Sequence, residues 1–336
     1  MRKATKILGK KRTGGSDAQS VLSVGSCVTV VDAPVENGSA PGRSYKMDVF
    51  RQRRRRYHGM CWVCDKYSNG EKWYLNPENY ARRLYKVRKE GKEAAGADAD
   101  PQAAGMGAGV VAELVKARIS GDQEWEDEIK REALEHAYQT HFGQVVTLDE
   151  YLQILDIAYP LAKMTCGCRR VQRGMPDEEN FTCMGIGPGM YKWERWPETY
   201  HGGVEFVTPE EAKEWAMMNH KEGRVQTVDV FGTPYIGGLC QCEYPGCVAV
   251  RNRIDYDFKF LLKGHTVAKV DREKCTGCKS CLGRCQFKAL NLEVYTSKAY
   301  IDLDQCFGCG LCVTACPSGA IELIDRQSLP GLAENW

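Results

Sequence analysis

Apolar side chains recur every three to four positions through the middle of the chain, which is the spacing of one face of an α-helix. Two helices are predicted from the apolar positions Val111, Leu114, Val115, Trp125, Ile129, Ala133, Leu134 and Ala137. A third is predicted to start at Thr147, because Thr147 and Glu150 form a capping box ahead of the apolar Tyr151 and Leu155. A fourth is predicted to start at Thr208. The middle of the chain is therefore expected to be helical.

Shorter apolar runs bounded by turn residues predict β-strands near both ends of the chain. One strand is expected across Val21–Val31. Four more are expected near the C-terminus, over His265–Val270, Ala289–Tyr295, Lys298–Leu303 and Ala320–Ile324. Short helices are expected to start near Ser280 and Leu311, and another at Asn76-Pro77, where proline suits the first helical position.

The C-terminal segment contains an internal repeat. The sequence VDREKCTGCKSCLGRCQFKALNLE at 270–293 aligns with IDLDQCFGCGLCVTACPSGAIELI at 301–324, so that Cys275 and Cys306 are 31 positions apart. A repeat of this kind predicts a pseudo-twofold unit in which neither half buries a core alone.

Each half of the repeat carries four cysteines at the spacing C-x2-C-x2-C-x3-C. They are Cys275, Cys278, Cys281 and Cys285 in the first run, and Cys306, Cys309, Cys312 and Cys316 in the second. This spacing is typical of proteins with two 4Fe–4S clusters, in which the fourth cysteine of each run serves the other cluster. The alternatives, a pair of zinc sites or a disulfide framework, fit less well, because zinc sites usually use two Cys-x2-Cys pairs.

On these motifs the last segment, about 60 residues long, resembles the bacterial-type dicluster ferredoxins. The resemblance implies an α+β protein with a ferredoxin-like βαββαβ domain and two 4Fe–4S clusters. One position departs from the pattern, since Gln286 follows Cys285 where Pro317 follows Cys316. Because proline fixes the exit turn, its loss predicts a looser loop or altered hydrogen bonding to the cluster.

Length and composition predict a chain of several domains outside the membrane. The 336 residues suffice for two or three domains, and no apolar run approaches the ~18 residues that span a bilayer. The 17 cysteines include runs that need free thiolates, which favours a reducing compartment and the cytoplasm. The expected division is a basic N-terminal module (1–91), an Ala/Gly linker (92–109), a helical Cys-rich domain (110–265) and the dicluster domain (266–326).

Charge is unevenly distributed along the chain. Residues 1–90 hold 20 Lys and Arg against 8 Asp and Glu, a balance of +12, while the remainder holds 26 against 36, a balance of −10. Such polarity can orient docking on an acidic patch of a partner protein, such as a redox enzyme or another electron carrier. A solvated basic tail is the alternative.

Six further cysteines occupy the middle of the chain. They are Cys166, Cys168, Cys183, Cys240, Cys242 and Cys247. Six thiols in three patches beside glycines can converge on one point, as metal ligands do. Four of them could hold a third 4Fe–4S cluster or a zinc ion, and buried free cysteines are the alternative.

The stretch from Tyr159 to Cys285 has a resemblance of its own, to a group of larger ferredoxin-type proteins of anaerobes. It rests on the Cys-x-Cys-Arg motif at Cys166–Arg169, the lone Cys183, the Thr208–Ala212 helix start, the strand at Gly223–Val228 and the cysteines at Cys240–Cys247. The resemblance implies electron transfer or association with a larger redox enzyme. Many members of that group have more cysteines at the place where this chain has Cys240-Gln241-Cys242. The resemblance therefore leaves open which metal centre this chain retains.

Two features of the N-terminal module suggest other chemistry. His58, Cys61 and Cys64 resemble half of a zinc site, with Cys27 as a possible fourth ligand, or else a structural loop with buried thiols. The Arg53–Arg56 run, with aromatic neighbours, could bind nucleic acid, although a solvated face or a protein-docking patch is more usual.

Three functions follow from the sequence. The first is an iron–sulfur electron-transfer protein, acting as a subunit or dedicated partner of a larger oxidoreductase and not as a catalyst on its own. The second is a reductase whose active centre is a metal site among the middle cysteines. The third is a nucleic-acid-associated iron–sulfur protein that uses its basic module.

Overall fold

The computed structural model describes residues 22–24, 27–29, 72–81, 108–140, 143–169, 181–187, 190, 204–229, 236–259 and 261–332. The predicted group of His58, Cys61 and Cys64 and the Arg53–Arg56 run lie outside these residues. The single strand predicted over Val21–Val31 is instead two short strands, β1 (Leu22–Val24) and β2 (Cys27–Thr29), which pair antiparallel.

A short segment from the N-terminal part packs into the middle of the protein. It consists of a 3-10 turn at Trp73–Leu75 and the helix α1 (Glu78–Ala81), which starts one residue after Pro77. The Trp73 indole donates a 2.9 Å hydrogen bond to the Gln144 side chain. The segment is therefore anchored to the structure that follows it.

Two helices form a hairpin next, as the apolar spacing predicts. They are α2 (Ala108–Ser120) and α3 (Gln123–Thr140). Leu114, Ala117, Ile129 and Ala133 are buried between them together with Phe258. Within the described part of the chain, none of the helices combines the length and the apolar character that crossing a membrane requires.

The region from 143 to 262 is built on a seven-stranded sheet, and the prediction of a helical domain is wrong for this part of the chain. The strands are β3 (Gly143–Val145), β4 (Leu161–Thr165), β5 (Phe181–Ile186), β6 (Val204–Val207), β7 (Val225–Asp229), β8 (Gly238–Cys242) and β9 (Leu261–Leu262). Their order is β6-β4-β5-β8-β7-β3-β9, and only β3 and β9 pair in parallel. Because β3, β7 and β8 are buried along their whole length, they lack the polar and apolar alternation that reveals a half-exposed strand.

Two helices cover one face of this sheet, α4 (Leu148–Ile157) and α5 (Pro209–Lys221). Each begins with a complete capping box, from Thr147 to Glu150 and from Thr208 to Glu211. Capping satisfies backbone N–H groups that the first helical turn leaves unpaired. The apolar stripes of both helices meet in the main core of the protein.

The opposite face of the sheet has a separate core. On β8, Leu239 joins the main core, whereas Cys240 and Cys242 point to the other side. This alternation follows from the two-residue period of a strand. The helix α6 (Val248–Tyr256) and the C-terminal region cover this second face.

The C-terminal region contains four short strands at the predicted places, β10 (Thr266–Val270), β11 (Leu290–Leu292), β12 (Ala299–Ile301) and β13 (Ile321–Asp325). β10 pairs antiparallel with β13, and β11 with β12. Of the two predicted helices, the second is α7 (Leu311–Thr314), while the first is only a 3-10 turn at Leu282–Arg284. Two further 3-10 turns follow β13, at Arg326–Ser328 and Pro330–Leu332.

The C-terminal region is docked tightly on the second face of the sheet. Phe287 stacks on Phe307 with ring centroids 3.9 Å apart, and both rings pack with Val145 of β3. On α5, the His220 Nε2 atom lies 3.2 Å from the Thr314 hydroxyl. The sheet and the C-terminal region thus share one continuous apolar core.

We predict that Gly143→Ala destabilises the protein by about 1–3 kcal/mol, the usual cost of overpacking. A Cβ atom on residue 143 would overlap the buried Asp229 carboxylate across the β3–β7 pair. Urea unfolding followed by far-ultraviolet circular dichroism measures the change. Gly331→Ala is the control, because a Cβ atom there meets nothing within 4 Å. Equal midpoints for the two variants would contradict the packing at Gly143.

Candidate functional site

Four thiols line an open pocket at the outer end of the C-terminal region. They are Cys275, Cys278, Cys281 and Cys316, so that three come from the first run and the fourth from the second. Cys278 is exposed, and this first four-thiol site therefore reaches the protein surface.

The other four thiols form a second site in the interior. Burial, followed by the charges of Cys312, Cys306 and Cys285, raises the pKa of Cys309. Burial also raises the pKa of Cys312 to about 12. Cys306, Cys309 and Cys312 are all buried, whereas Cys285 is partly so. This second four-thiol site again combines three cysteines of one run with the last cysteine of the other.

Backbone amides aim at the thiols of both sites in a symmetric pattern. Ala289 N–H and Ala320 N–H each point at the cysteine four positions earlier, with N···Sγ distances of 3.3 Å to Cys285 and to Cys316. Two further contacts cross between the halves, from Ala268 to Cys306 (3.4 Å) and from Ala299 to Cys275 (3.5 Å). The repeat offset of 31 relates the members of each pair, so the structure preserves the pseudo-twofold relation read from the sequence.

Buried cations surround the second site. The Arg326 side chain is fully buried and donates to the carbonyl oxygens of Cys306 (2.5 Å) and Gly264 (2.9 Å). The Arg253 guanidinium and the Lys263 ammonium lie 5.3 and 5.8 Å from the Phe307 ring centroid. Burial lowers the pKa of Lys263 to about 8 and that of Arg326 to about 10. Positive charge at this depth stabilises anionic thiolates that burial alone would disfavour.

The six middle cysteines come together beside the second face of the sheet. Cys183 on β5 is the direct partner of Cys240 on β8 in the antiparallel register. Cys242 lies two residues along β8 and faces the same side as Cys240. Cys247 is the N-cap residue of α6, and Cys166 directly follows the end of β4. These strands, the start of α6 and the short helical turn at 167–169 that carries Cys168 thus bring all six thiols to one place.

The six thiols form a closed ring in which each contacts two neighbours. The order is Cys166, Cys168, Cys247, Cys242, Cys240, Cys183 and back to Cys166. The Sγ–Sγ distance is 3.6 Å between Cys183 and Cys240 and 3.2 Å between Cys242 and Cys247. We call this set the six-thiol ring.

Hydrogen bonds within the ring distinguish two opposite members from the others. The pKa of Cys166 is lowered because its thiolate accepts hydrogen bonds from Cys168 and Cys183. The pKa of Cys242 is lowered in the same way by Cys240 and Cys247. The two thiols whose pKa is lowered, Cys166 and Cys242, therefore occupy opposite positions in the ring.

Charged groups surround the ring as well. Arg169 is 2% exposed, donates to the Gln241 carbonyl at 3.3 Å and pairs with Glu243 at 3.4 Å. Burial raises the pKa of Asp229 to about 7, and this carboxyl group also bonds to Cys240. Among the described residues, no set of three or more His, Cys, Asp or Glu side chains has the arrangement for one bound metal ion. That statement covers the eight thiols of the two four-thiol sites too.

Sequence reasoning missed the contacts of two residues of the site. For Gln286 the sequence predicts a looser exit loop or altered hydrogen bonding to the cluster. Instead its side chain accepts from the Tyr244 N–H at 2.6 Å and donates to the carbonyls of Gly223 (2.6 Å) and Cys242 (3.4 Å). The sequence feature that could have indicated this role is the presence of Gln286 after Cys285, where Pro317 follows Cys316 in the second run. Arg326 had no signal, since it is a single basic residue after the last strand.

Comparison with known families identifies the C-terminal region. Residues 268–325 match the model of the 4Fe–4S dicluster domain. The curated proteins contain no significant match to the chain. The match covers both runs of four cysteines and supports an iron–sulfur electron-transfer role for this region.

We predict that Gly308→Ala lowers the iron content of the chain by about four atoms, the content of one cluster. Gly308 has φ +72°, and a Cβ atom there would overlap the Thr266 carbonyl oxygen, so the loop of the second four-thiol site would have to move. Iron and acid-labile sulfide are counted after anaerobic purification. Gly283→Ala, at a position of the first run where a Cβ atom meets nothing within 4 Å, should keep the full content.

Proposed function

We propose that this chain is an iron–sulfur electron-transfer protein that serves a larger oxidoreductase as a subunit or dedicated partner. The observation that carries the proposal is the pair of four-thiol sites inside the matched dicluster domain. When bound, 4Fe–4S clusters at these sites would supply one-electron chemistry. Cys275, Cys278, Cys281 and Cys316 would hold one cluster, and Cys306, Cys309, Cys312 and Cys285 the other.

Hydrogen bonds, buried positive charge and apolar packing around the two sites would set the reduction potentials of bound clusters. Four backbone N–H groups point at cysteine sulfurs, and hydrogen bonds of this kind tune the potential of a cluster. Arg326 adds positive charge beside Cys306, which favours the reduced, more negative state of the second site. The Phe287–Phe307 pair and the sheet exclude water from the same site.

The two four-thiol sites differ in their exposure to solvent, and this difference suggests a direction for electron transfer through the domain. The first site opens to the surface at Cys278, and the nearby hairpin tip exposes Val294 (88%) and Tyr295 (98%). The second site lies between the first and the sheet. We therefore place electron exchange with the partner protein at the first site and transfer inward from there to the second.

The partner is proposed to be acidic where it meets the basic N-terminal module. Residues 1–90 carry a balance of +12 and the rest of the chain −10. Opposite charges on two proteins steer their encounter and raise the association rate at low salt. The densest positive charge in the module is the Arg53–Arg56 run.

We predict that two double variants separate the two sites. Cys278→Ala with Cys316→Ala should remove about four iron atoms, since both thiols belong to the first site. Cys278→Ala with Cys285→Ala should remove about eight, because it damages both sites. Iron, sulfide and electron paramagnetic resonance of anaerobic protein are the measurements. The opposite order of losses would assign all four ligands of each cluster to a single run.

We predict that changing all four residues of Arg53–Arg56 to Ser slows electron transfer with the partner enzyme at low salt. The difference should shrink near ~0.5 M salt, where the screening length is about 4 Å. The matched control changes the four residues to Lys, which keeps the charge. Equal rates for the Ser and Lys variants at low salt would argue against electrostatic docking, and a loss of RNA or DNA binding in the Ser variant alone would favour a nucleic-acid function.

A further inference from the structure

We propose that the six-thiol ring holds a third, polynuclear iron–sulfur centre that exchanges electrons with the second four-thiol site. The matched family model ends outside this region, since it covers residues 268–325 only. The metal-binding part of the proposal stands on the ring alone. The electron-transfer part rests on the function proposed above.

The ring has the composition and placement of a ligand set. Its members come from four elements and the helical turn at 167–169, and neighbouring members contact each other thiol to thiol. Thiols are weak hydrogen-bond donors, so six of them in mutual contact contribute little that apolar side chains would not. Soft metals, in contrast, bind thiolates strongly. Metal binding therefore accounts for the arrangement where core packing does not.

The number of thiols points to more than one metal ion. A single tetrahedral ion takes four thiolates, and the ring offers six, none of which lies apart from the others. The side-chain hydrogen bonds run from thiol to thiol around the whole set, so the six thiols surround a common centre. A polynuclear centre can use such a ring, because its metal atoms lie at different points around it.

Local charge fits an anionic centre of this kind. The Arg169 guanidinium is almost fully buried beside the ring and donates a 3.3 Å hydrogen bond to the carbonyl oxygen of Gln241. It follows Cys168 directly in the sequence. A buried cation next to several thiolates offsets part of the negative charge that a thiolate-bound centre would carry.

The ring and the second site belong to the same apolar core. Cys240, Cys242 and Cys247 pack in one cluster with Phe287, Phe307 and Cys309, and Cys285 lies against it. Short distances through packed protein are the condition for electron transfer without diffusion.

Gln286 provides a direct connection between the two sets. It is bonded covalently to Cys285, a thiol of the second site, and its side-chain amide donates to the carbonyl oxygen of Cys242, a member of the ring. At the equivalent place in the first site, the chain has Pro317, which has no such side chain. The connection therefore exists on one side of the pseudo-twofold unit only, and it is the side that faces the ring.

The transfer that we propose moves one electron and no proton. When bound, a cluster at the second site would give one electron to a centre held by the ring, and a low-potential electron-donor protein would supply that electron through the first site. The route thus runs from the surface at Cys278, through the two four-thiol sites, to the ring. Gln286 acts as a positioning residue on the last step.

The metal part is tested on the full chain, purified without oxygen. We expect about twelve iron atoms per chain in the wild type, and about eight in the variant Cys242→Ala with Cys247→Ala, in which the dicluster resonance is unchanged. Equal iron content in both proteins overturns the proposal, and so does a ring that releases zinc instead of iron. If the double variant fails to fold, Cys183→Ala takes its place, because this thiol is only partly buried.

The electron part is tested with Gln286→Pro, which copies the residue of the second run. We expect full iron content and reduction of the third centre at least ten-fold slower than in the wild type, measured by rapid-freeze resonance after reduction of the dicluster domain. Pro317→Gln is the matched control at the symmetric position and should stay within two-fold. Equal rates in the two variants overturn the route. If the wild type itself lacks iron in the dicluster domain, the proposed function fails independently of the ring.

Discussion

The packing of the dicluster region on the second face of the sheet is the contact on which the rest of the structure depends. Phe287 and Phe307 stack on each other and belong to the same buried cluster as Val145 and Leu261 of the sheet. Each phenylalanine directly neighbours a cysteine run, since Phe307 follows Cys306 and Phe287 comes two residues after Cys285. The same apolar contact therefore closes the core of the sheet and fixes the loops that carry the second four-thiol site.

The dicluster region could be predicted well because its chemistry dictates its spacing. Three thiolates from one loop and a fourth from a distant segment require the C-x2-C-x2-C-x3-C pattern, and that pattern is visible without any structure. The family match confirms the 4Fe–4S dicluster domain, and the four strands lie where the repeat predicts them. Capping boxes, such as that at Thr147, could also be predicted from the sequence, because a cap is a local interaction between residues three positions apart.

The sheet was not predictable in the same way. A strand buried on both faces carries no alternating pattern, and β7 reads Val-Gln-Thr-Val-Asp with every residue buried. Its polar side chains are satisfied inside the protein, for example by the 2.7 Å hydrogen bond from Gln226 to Gln241. The closure of the six-thiol ring was hidden for a related reason. The pairing of Cys183 with Cys240 depends on strand register, a long-range property that no local pattern encodes.

The hydrogen bonds of Gln286 have a consequence for how this protein can be divided or recombined. Together with the contact between His220 and Thr314, they make the dicluster region a partner of one particular sheet and not an interchangeable module. A free-standing ferredoxin grafted in its place would bring a proline to position 286. It would also lack Phe287 and Phe307, which pack in one cluster with the sheet. The two halves of the repeat thus differ at one place: Pro317 fixes the exit turn of the second half, while Gln286 at the corresponding position of the first half joins that half to the sheet.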